Sequence, residues 1–137
     1  MDSFQRKLDA VCEKQKSLLC IGLDPQMNLM PSEMTDVVKF NKLIVDATSD
    51  LVCAYKPNLA FYEALGVAGM DYLQNTLEYI RLQAPTALII GDAKRGDVGN
   101  TAEAYAKAMF EVWEFDATTV NAYGGHDTIH PFLEYTD

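Results

Sequence analysis

The chain has 137 residues, 49% of them hydrophobic and 23% charged, which is enough for one core and sets one domain, residues 1–137, as the natural unit. A formal net charge of −9 speaks against a nucleic-acid interface, which shows as a basic patch, and against an anionic membrane surface as partner. An anionic small molecule remains open to such a chain, provided local lysines or backbone amides receive it.

Ser3–Lys16 carries Phe4, Leu8, Val11 and Cys12 at helical spacing, and its charges leave no signal-peptide apolar core. Leu18–Leu23 (LLCIGL) is a short apolar strand ending at Asp24-Pro25. Asp36–Thr48 returns to a helical period, and Leu51–Lys56 (LVCAYK) is a second strand. Phe61–Leu65 and Tyr72–Gln83 are helical, separated by Gly66 and Gly69 and closed before Pro85. Ala87–Asp92 is a third strand, Thr101–Trp113 a helix and Asp116–Asn121 a fourth strand. The loop AYGGHD and the first turns of a further helix follow. Cys12, Cys20 and Cys53 lack C-x-x-C spacing, and the last two sit in apolar runs as small hydrophobes. No apolar run reaches the length of a membrane span. These features predict a soluble cytoplasmic protein in a reducing compartment.

Short strands, apolar on both faces and separated by helices, call for a parallel sheet covered by helices. Asp24, Lys56, Asp92 with Lys94, and Asn121 all fall at the C-terminal end of a strand. That rim holds the active site of a (β/α)₈ barrel and the ligand of an open doubly wound sheet alike. Four β/α units are present where a closed barrel has eight, and the chain stops at HPFLEYTD inside the fourth helix. The chain is either an open four-stranded α/β domain or half a barrel.

The densest chemistry lies in GDAKRGDVGNTA, Gly91 to Ala102. A period of two puts Leu88, Ile90, Asp92 and Lys94 on one face if the strand stays regular. Opposite charges roughly 4 Å apart attract by about 4 kcal/mol at an effective dielectric near ~20. Such a pairing keeps Lys94 protonated where burial disfavours charge, and a charged lysine can serve as a general acid. Asp97, past Gly96, is free to face elsewhere, as across a subunit contact. A structural ion pair at a loop is the plain alternative. Lys56 and Asp24 favour a functional site, because charges gathered at one rim each cost desolvation. A phosphate loop is excluded, since Asp97 stands where G-K-[ST] needs its lysine, and no G-x-G-x-x-G occurs. His126 and His130 have an i, i+4 zinc spacing, but Asp127 as helix N-cap with Pro131 in the first turn accounts for the stretch better. Met70, Met109, Tyr72, Tyr79, Tyr105 and Phe110 read as core or helix-face residues.

With these residues assembled, the chain resembles the orotidine 5'-phosphate decarboxylase family, in the form of its longer bacterial branch. DAKRGDVGNTAEAYAKA is similar to the family signature. LCIGLDP, AYKPNLAFYEALG and TVNAYGGHDTIHPFL are similar to its first, second and fourth strand regions, in order from about Phe4 onward. The resemblance implies an α/β fold of parallel (β/α) units, the first four of a (β/α)₈ TIM-type barrel, truncated in the fourth helix. It implies decarboxylation of orotidine 5'-phosphate to UMP in pyrimidine biosynthesis, with Lys94 protonating the C6 carbanion and Asp92 beside the substrate carboxylate. Asp24 and Lys56 would bond ribose hydroxyls, with Lys56 also in a Lys-Asp-Lys-Asp network. Asp97 and Thr101 would reach the neighbouring subunit's site in a homodimer. No metal or organic cofactor is implied.

The family's phosphate-gripping arginine and closing loops belong to later strands, so little or no activity is expected of these residues alone. Ala122 and Gly124 depart from the proline and larger residue of VNPYMG-like versions. Half a barrel also leaves two sheet edges open to self-association. Two other readings stand beside this one. The first is a Mg²⁺-dependent sugar-phosphate decarboxylase or aldolase of the same superfamily, and the second a non-catalytic half-barrel module for binding or oligomerisation.

Overall fold

The structure is a computed structural model that describes residues 3–136; the outermost residues of the predicted 1–137 domain lie outside the described residues. Helix α1 (Phe4–Gln15) precedes β1 (Cys20–Leu23), and α2 (Val37–Thr48) leads to β2 (Ala54–Pro57). Two helices, α3 (Leu59–Glu63) and α4 (Gly66–Gln83), lead to β3 (Leu88–Arg95). Helix α5 (Gly99–Lys107) continues through a π-helical turn at Ala108–Val112 to β4 (Ala117–Val120). Two 3₁₀ turns, Ala122–Gly124 and His126–Thr128, then bring the chain into α6 (His130–Leu133).

The strands form one parallel sheet in the order β1-β2-β3-β4. This order decides between the two folds left open by the sequence. A doubly wound sheet reverses its strand order at a switch point, whereas a barrel wall adds each strand beside the last. All four C-terminal strand ends therefore lie along one rim.

Alternation splits the sheet into two faces. Leu23, Tyr55, Ile89 and Ala93 point toward the helices and pack with Val45 of α2, Leu73 and Leu77 of α4 and Ala106 of α5 in the main core. The opposite face starts with Ala54 and Leu88, which join Val11 of α1 and Cys53 in a smaller cluster. Helix α1 thus covers the N-terminal end of the inner face, and Lys56 and Asp92 occupy its C-terminal end. Cys20, taken from its apolar run to be a small hydrophobe, pairs with Ala54 and is exposed.

A buried polar cluster ties the helices to the end of β1. Asn41 Nδ2 donates to Tyr62 Oη (3.0 Å) and to Thr76 Oγ1 (3.1 Å), and Tyr62 Oη donates to the carbonyl of Leu23 (3.0 Å). Burial raises the Tyr62 pKa well above the usual tyrosine range, so the hydroxyl keeps its proton.

Three expectations are corrected. Strand β2 begins at Ala54 rather than Leu51, because Leu51 closes a turn on Thr48 (N–H to O, 2.9 Å) and Val52 is buried without strand pairing. An apolar run reads alike whether or not its backbone is paired. Asp127 is no N-cap: it lies inside a 3₁₀ turn, and Ile129 precedes α6, although Pro131 does occupy the first turn. Gly69 does not separate helices, since α4 runs through it; Gly66, at φ +66°, does stand at the break between α3 and α4. Gly69 is there for close approach: a Cβ would lie 1.8 Å from the carbonyl oxygen of Tyr62 in α3.

Helix propensity alone favours alanine over glycine by about 1 kcal/mol in a helix interior. Gly69→Ala should nevertheless destabilise the protein by about 1–3 kcal/mol through overpacking against α3. A urea unfolding midpoint that rose instead of falling would show that α3 and α4 do not meet as described.

Candidate active site

The site is built on an irregularity in β3. Ile90 and Gly91 pair with Ala117 and Thr118, but the next pairing joins Arg95 to Val120. Four steps along β3 thus oppose two along β4, and the excess is a bulge. Within it Lys94 has φ +50°, a left-handed conformation that residues with a Cβ seldom adopt. Just beyond, Gly96 passes so near β4 that a Cβ would stand 2.2 Å from the Asn121 carbonyl oxygen. The regular alternation predicted through Lys94 therefore fails after Gly91, yet the bulge still turns Lys94 back toward Asp92.

Asp92 is the hub. Lys94 Nζ donates to its Oδ1 (2.6 Å), Lys56 Nζ to its Oδ2 (3.0 Å), and Thr119 Oγ1 to its Oδ1 (2.8 Å). The carboxylate is nearly enclosed, its side chain 9% exposed, whereas the Lys94 side chain is 64% exposed. Burial pushes the Asp92 pKa up, but hydrogen bonds from Lys94, Thr119 and Lys56 and the Lys56 charge outweigh it and hold the carboxyl at about 2. One buried anion is thus shared by two cations, one of them open to the rim.

The remaining candidates make no hydrogen bond or ion pair with this hub. Asp24 follows β1 directly, is exposed, and lies beside Gly22, where a Cβ would be 3.7 Å from its Oδ1. Asp97 Oδ1 accepts the Val98 N–H (2.8 Å). Thr101 is exposed in the first turn of α5. Asn121 caps the turn after β4 by accepting the Tyr123 N–H (3.0 Å). Arg95 serves the scaffold instead, pairing with Glu63 of α3 and lying over the Tyr105 ring of α5. His126 and His130 stack on each other with ring centroids 5.3 Å apart, and among the described residues no group of three or more His, Cys, Asp or Glu is placed to hold a metal. Among the described residues no helix is long and apolar enough to cross a membrane.

Thr119 escaped the sequence reading. The signal was available, since the period of two that was applied to β3 also puts Thr119 on the face of Asn121. A threonine in the run ATTV reads first as an ordinary strand former.

Residues 17–137 match the model of the orotidine 5'-phosphate decarboxylase / HUMPS family. The orotidine 5'-phosphate decarboxylase of Christiangramia forsetii is 50% identical over 90% of this chain and 47% of its own length. That of Herpetosiphon aurantiacus is 49% identical over 98% of the chain and 51% of its own length. Among solved structures, the Leishmania donovani OMP decarboxylase superposes with a TM-score of 0.83 at 34% identity, covering 97% of this chain and 50% of that one. The Leishmania donovani UMP synthase gives 0.85 at 33% identity, covering 98% of this chain and 28% of that one. The chain spans about half the length of the curated relatives it matches.

A depressed carboxyl pKa in the folded state stabilises the protein above the unfolded pKa, and that contribution is lost as pH falls through the folded value. For Asp92 the contribution should be complete above the ordinary 3.8 and should vanish as pH falls toward about 2. Carboxyl ¹³C NMR is expected to place the Asp92 midpoint near 2; a midpoint at or above 3.8 would contradict the bonded arrangement.

Proposed function

This chain belongs to the orotidine 5'-phosphate decarboxylase / HUMPS family, and we propose that it supplies the N-terminal half of an enzyme converting orotidine 5'-phosphate to UMP and carbon dioxide. The observation that carries the proposal is the buried Asp92 carboxylate clamped between Lys56 and an exposed Lys94 at the strand-end rim.

In the proposed reaction the bond from C6 of the pyrimidine to its carboxylate carbon breaks, and its electron pair stays on C6. Lys94 gives an ammonium proton to C6, forming the C–H bond of UMP, and the amine is reprotonated from solvent. Asp92 sits beside the substrate carboxylate, so its negative charge opposes the ground state and is relieved as carbon dioxide departs. Lys94, already oriented by Asp92, favours the charge that develops at C6. Binding of groups remote from C6, the phosphate above all, offsets that unfavourable placement. Asp24 and Lys56 would bond the ribose hydroxyls. Asp97 and the exposed Thr101 would complete the site of a neighbouring subunit in a homodimer. The phosphate would be gripped by residues from later strands.

The test joins this chain in frame to the C-terminal half of the Christiangramia forsetii relative. The fusion should turn over orotidine 5'-phosphate, be indifferent to EDTA, and lose ~10²–10⁴-fold in kcat on Lys94→Ala, the range for a general acid. The chain by itself should show little or no turnover. A folded fusion that binds UMP without decarboxylating its precursor, or one in which Lys94→Ala keeps the parent rate, would overturn the proposal. Loss of activity with EDTA would point instead to the Mg²⁺-dependent sugar-phosphate enzymes.

A further inference from the structure

The bulge that creates the site also breaks the sheet beneath it. Between the Gly91–Thr118 and Arg95–Val120 pairings, β3 has backbone groups with no place in the ladder. Two successive threonines of β4 take them up. Thr118 Oγ1 donates to the Gly91 carbonyl (2.9 Å), where the bulge opens, and Thr119 Oγ1 accepts the Lys94 N–H (3.0 Å), where it closes. The Thr119 hydroxyl then spends its own proton on Asp92 Oδ1 (2.8 Å).

We propose that Thr119 is a positioning residue: a single hydroxyl fixes the left-handed backbone of Lys94 and the carboxylate of Asp92 relative to each other. The inference rests on the decarboxylase reading for its catalytic consequence, though not for its geometry. A left-handed lysine is strained, and the partner of its backbone N–H comes from the neighbouring strand, at the Thr119 hydroxyl. Threonine suits the task because branching at Cβ restricts its χ1, so the hydroxyl direction is set by the strand. The arrangement also matters during turnover. When Lys94 gives up its proton, the charge-assisted bond to Asp92 Oδ1 weakens, and Thr119 on the same oxygen with Lys56 on the other keeps the carboxylate from rotating. Lys56 from β2 and Lys94 from β3 are the charged groups that face Asp92, and Thr119 is its contact from β4.

The experiment compares Thr119→Val, which keeps the shape but neither hydrogen bond, with Thr119→Ser, which keeps both. It reads amide hydrogen exchange at Lys94 and the ¹³C titration of Asp92 in the chain itself, so no turnover is needed. Thr119→Val should speed Lys94 exchange about tenfold, as expected for one hydrogen bond lost, and should move the Asp92 midpoint from about 2 toward 3.8. Thr119→Ser, which keeps the hydroxyl but not the branching that orients it, should lie closer to the parent than to valine in both. Unchanged exchange and titration in Thr119→Val would overturn the proposal, as would a serine variant that behaves like valine. Should Thr119→Val not fold, Thr119→Ala gives the same comparison. In the fused enzyme Thr119→Val should lower kcat more than it alters KM. Failure of the fused parent to decarboxylate, with both NMR effects intact, would overturn the decarboxylase reading and leave the geometry of Thr119 standing.

Discussion

A carboxylate taken out of water must be paired, and the organisation of the sheet follows from how Asp92 meets that demand. Its partners come from three adjacent strands: Lys56 on β2, Lys94 on β3 itself and Thr119 on β4. Only a parallel sheet whose strands lie in sequence order gathers these three ends at one rim. Breaking one link of such a group strands the others, since an unpaired buried charge is far more costly than the pair is favourable. The network is therefore a poor device for stability and a good one for holding an ammonium group at a chosen place.

The two ends of the inner face divide the labour. At the N-terminal end Ala54 and Leu88 are sealed by Val11 from α1 in a small apolar cluster. Toward the C-terminal end stand Lys56, Asp92, Lys94 and Thr119, and close backbone approaches flank them. Gly96 lets β3 graze Asn121, and Gly91 leaves room for the Phe115 ring, which would lie 2.5 Å from a Cβ there. On the outer face, the Asn41, Tyr62 and Thr76 cluster secures the Leu23 carbonyl, one residue before Asp24. Helix packing thereby sets where the rim residue of β1 stands.

Much of this was legible in the sequence because it is periodic. The alternation of apolar strands and amphipathic helices gave the order of elements, and polar residues at strand ends marked the rim. What escaped was local geometry that periodicity does not encode. The bulge in β3 follows from a register shift between two strands, which one strand's sequence cannot reveal, so Lys94 reached Asp92 by another path than regular alternation. Gly69 looked like a helix breaker because its role, contact with the Tyr62 carbonyl, depends on a neighbouring helix. Thr119 was hidden because threonine is common in strands and only its partners distinguish it. Asp127 had the residue type of a cap but lies in a turn whose Gly125, at φ +100°, redirects the chain first.

The most direct test of the shared carboxylate is ¹⁵N NMR of the lysine ammonium groups in the chain itself. The Lys56 and Lys94 ammonium signals are expected to shift together when Asp92 titrates, because both donate to one carboxylate, and the half-buried Lys56 should exchange more slowly than the exposed Lys94. Ammonium signals that ignore the titration of Asp92 would contradict the arrangement on which the proposed chemistry depends.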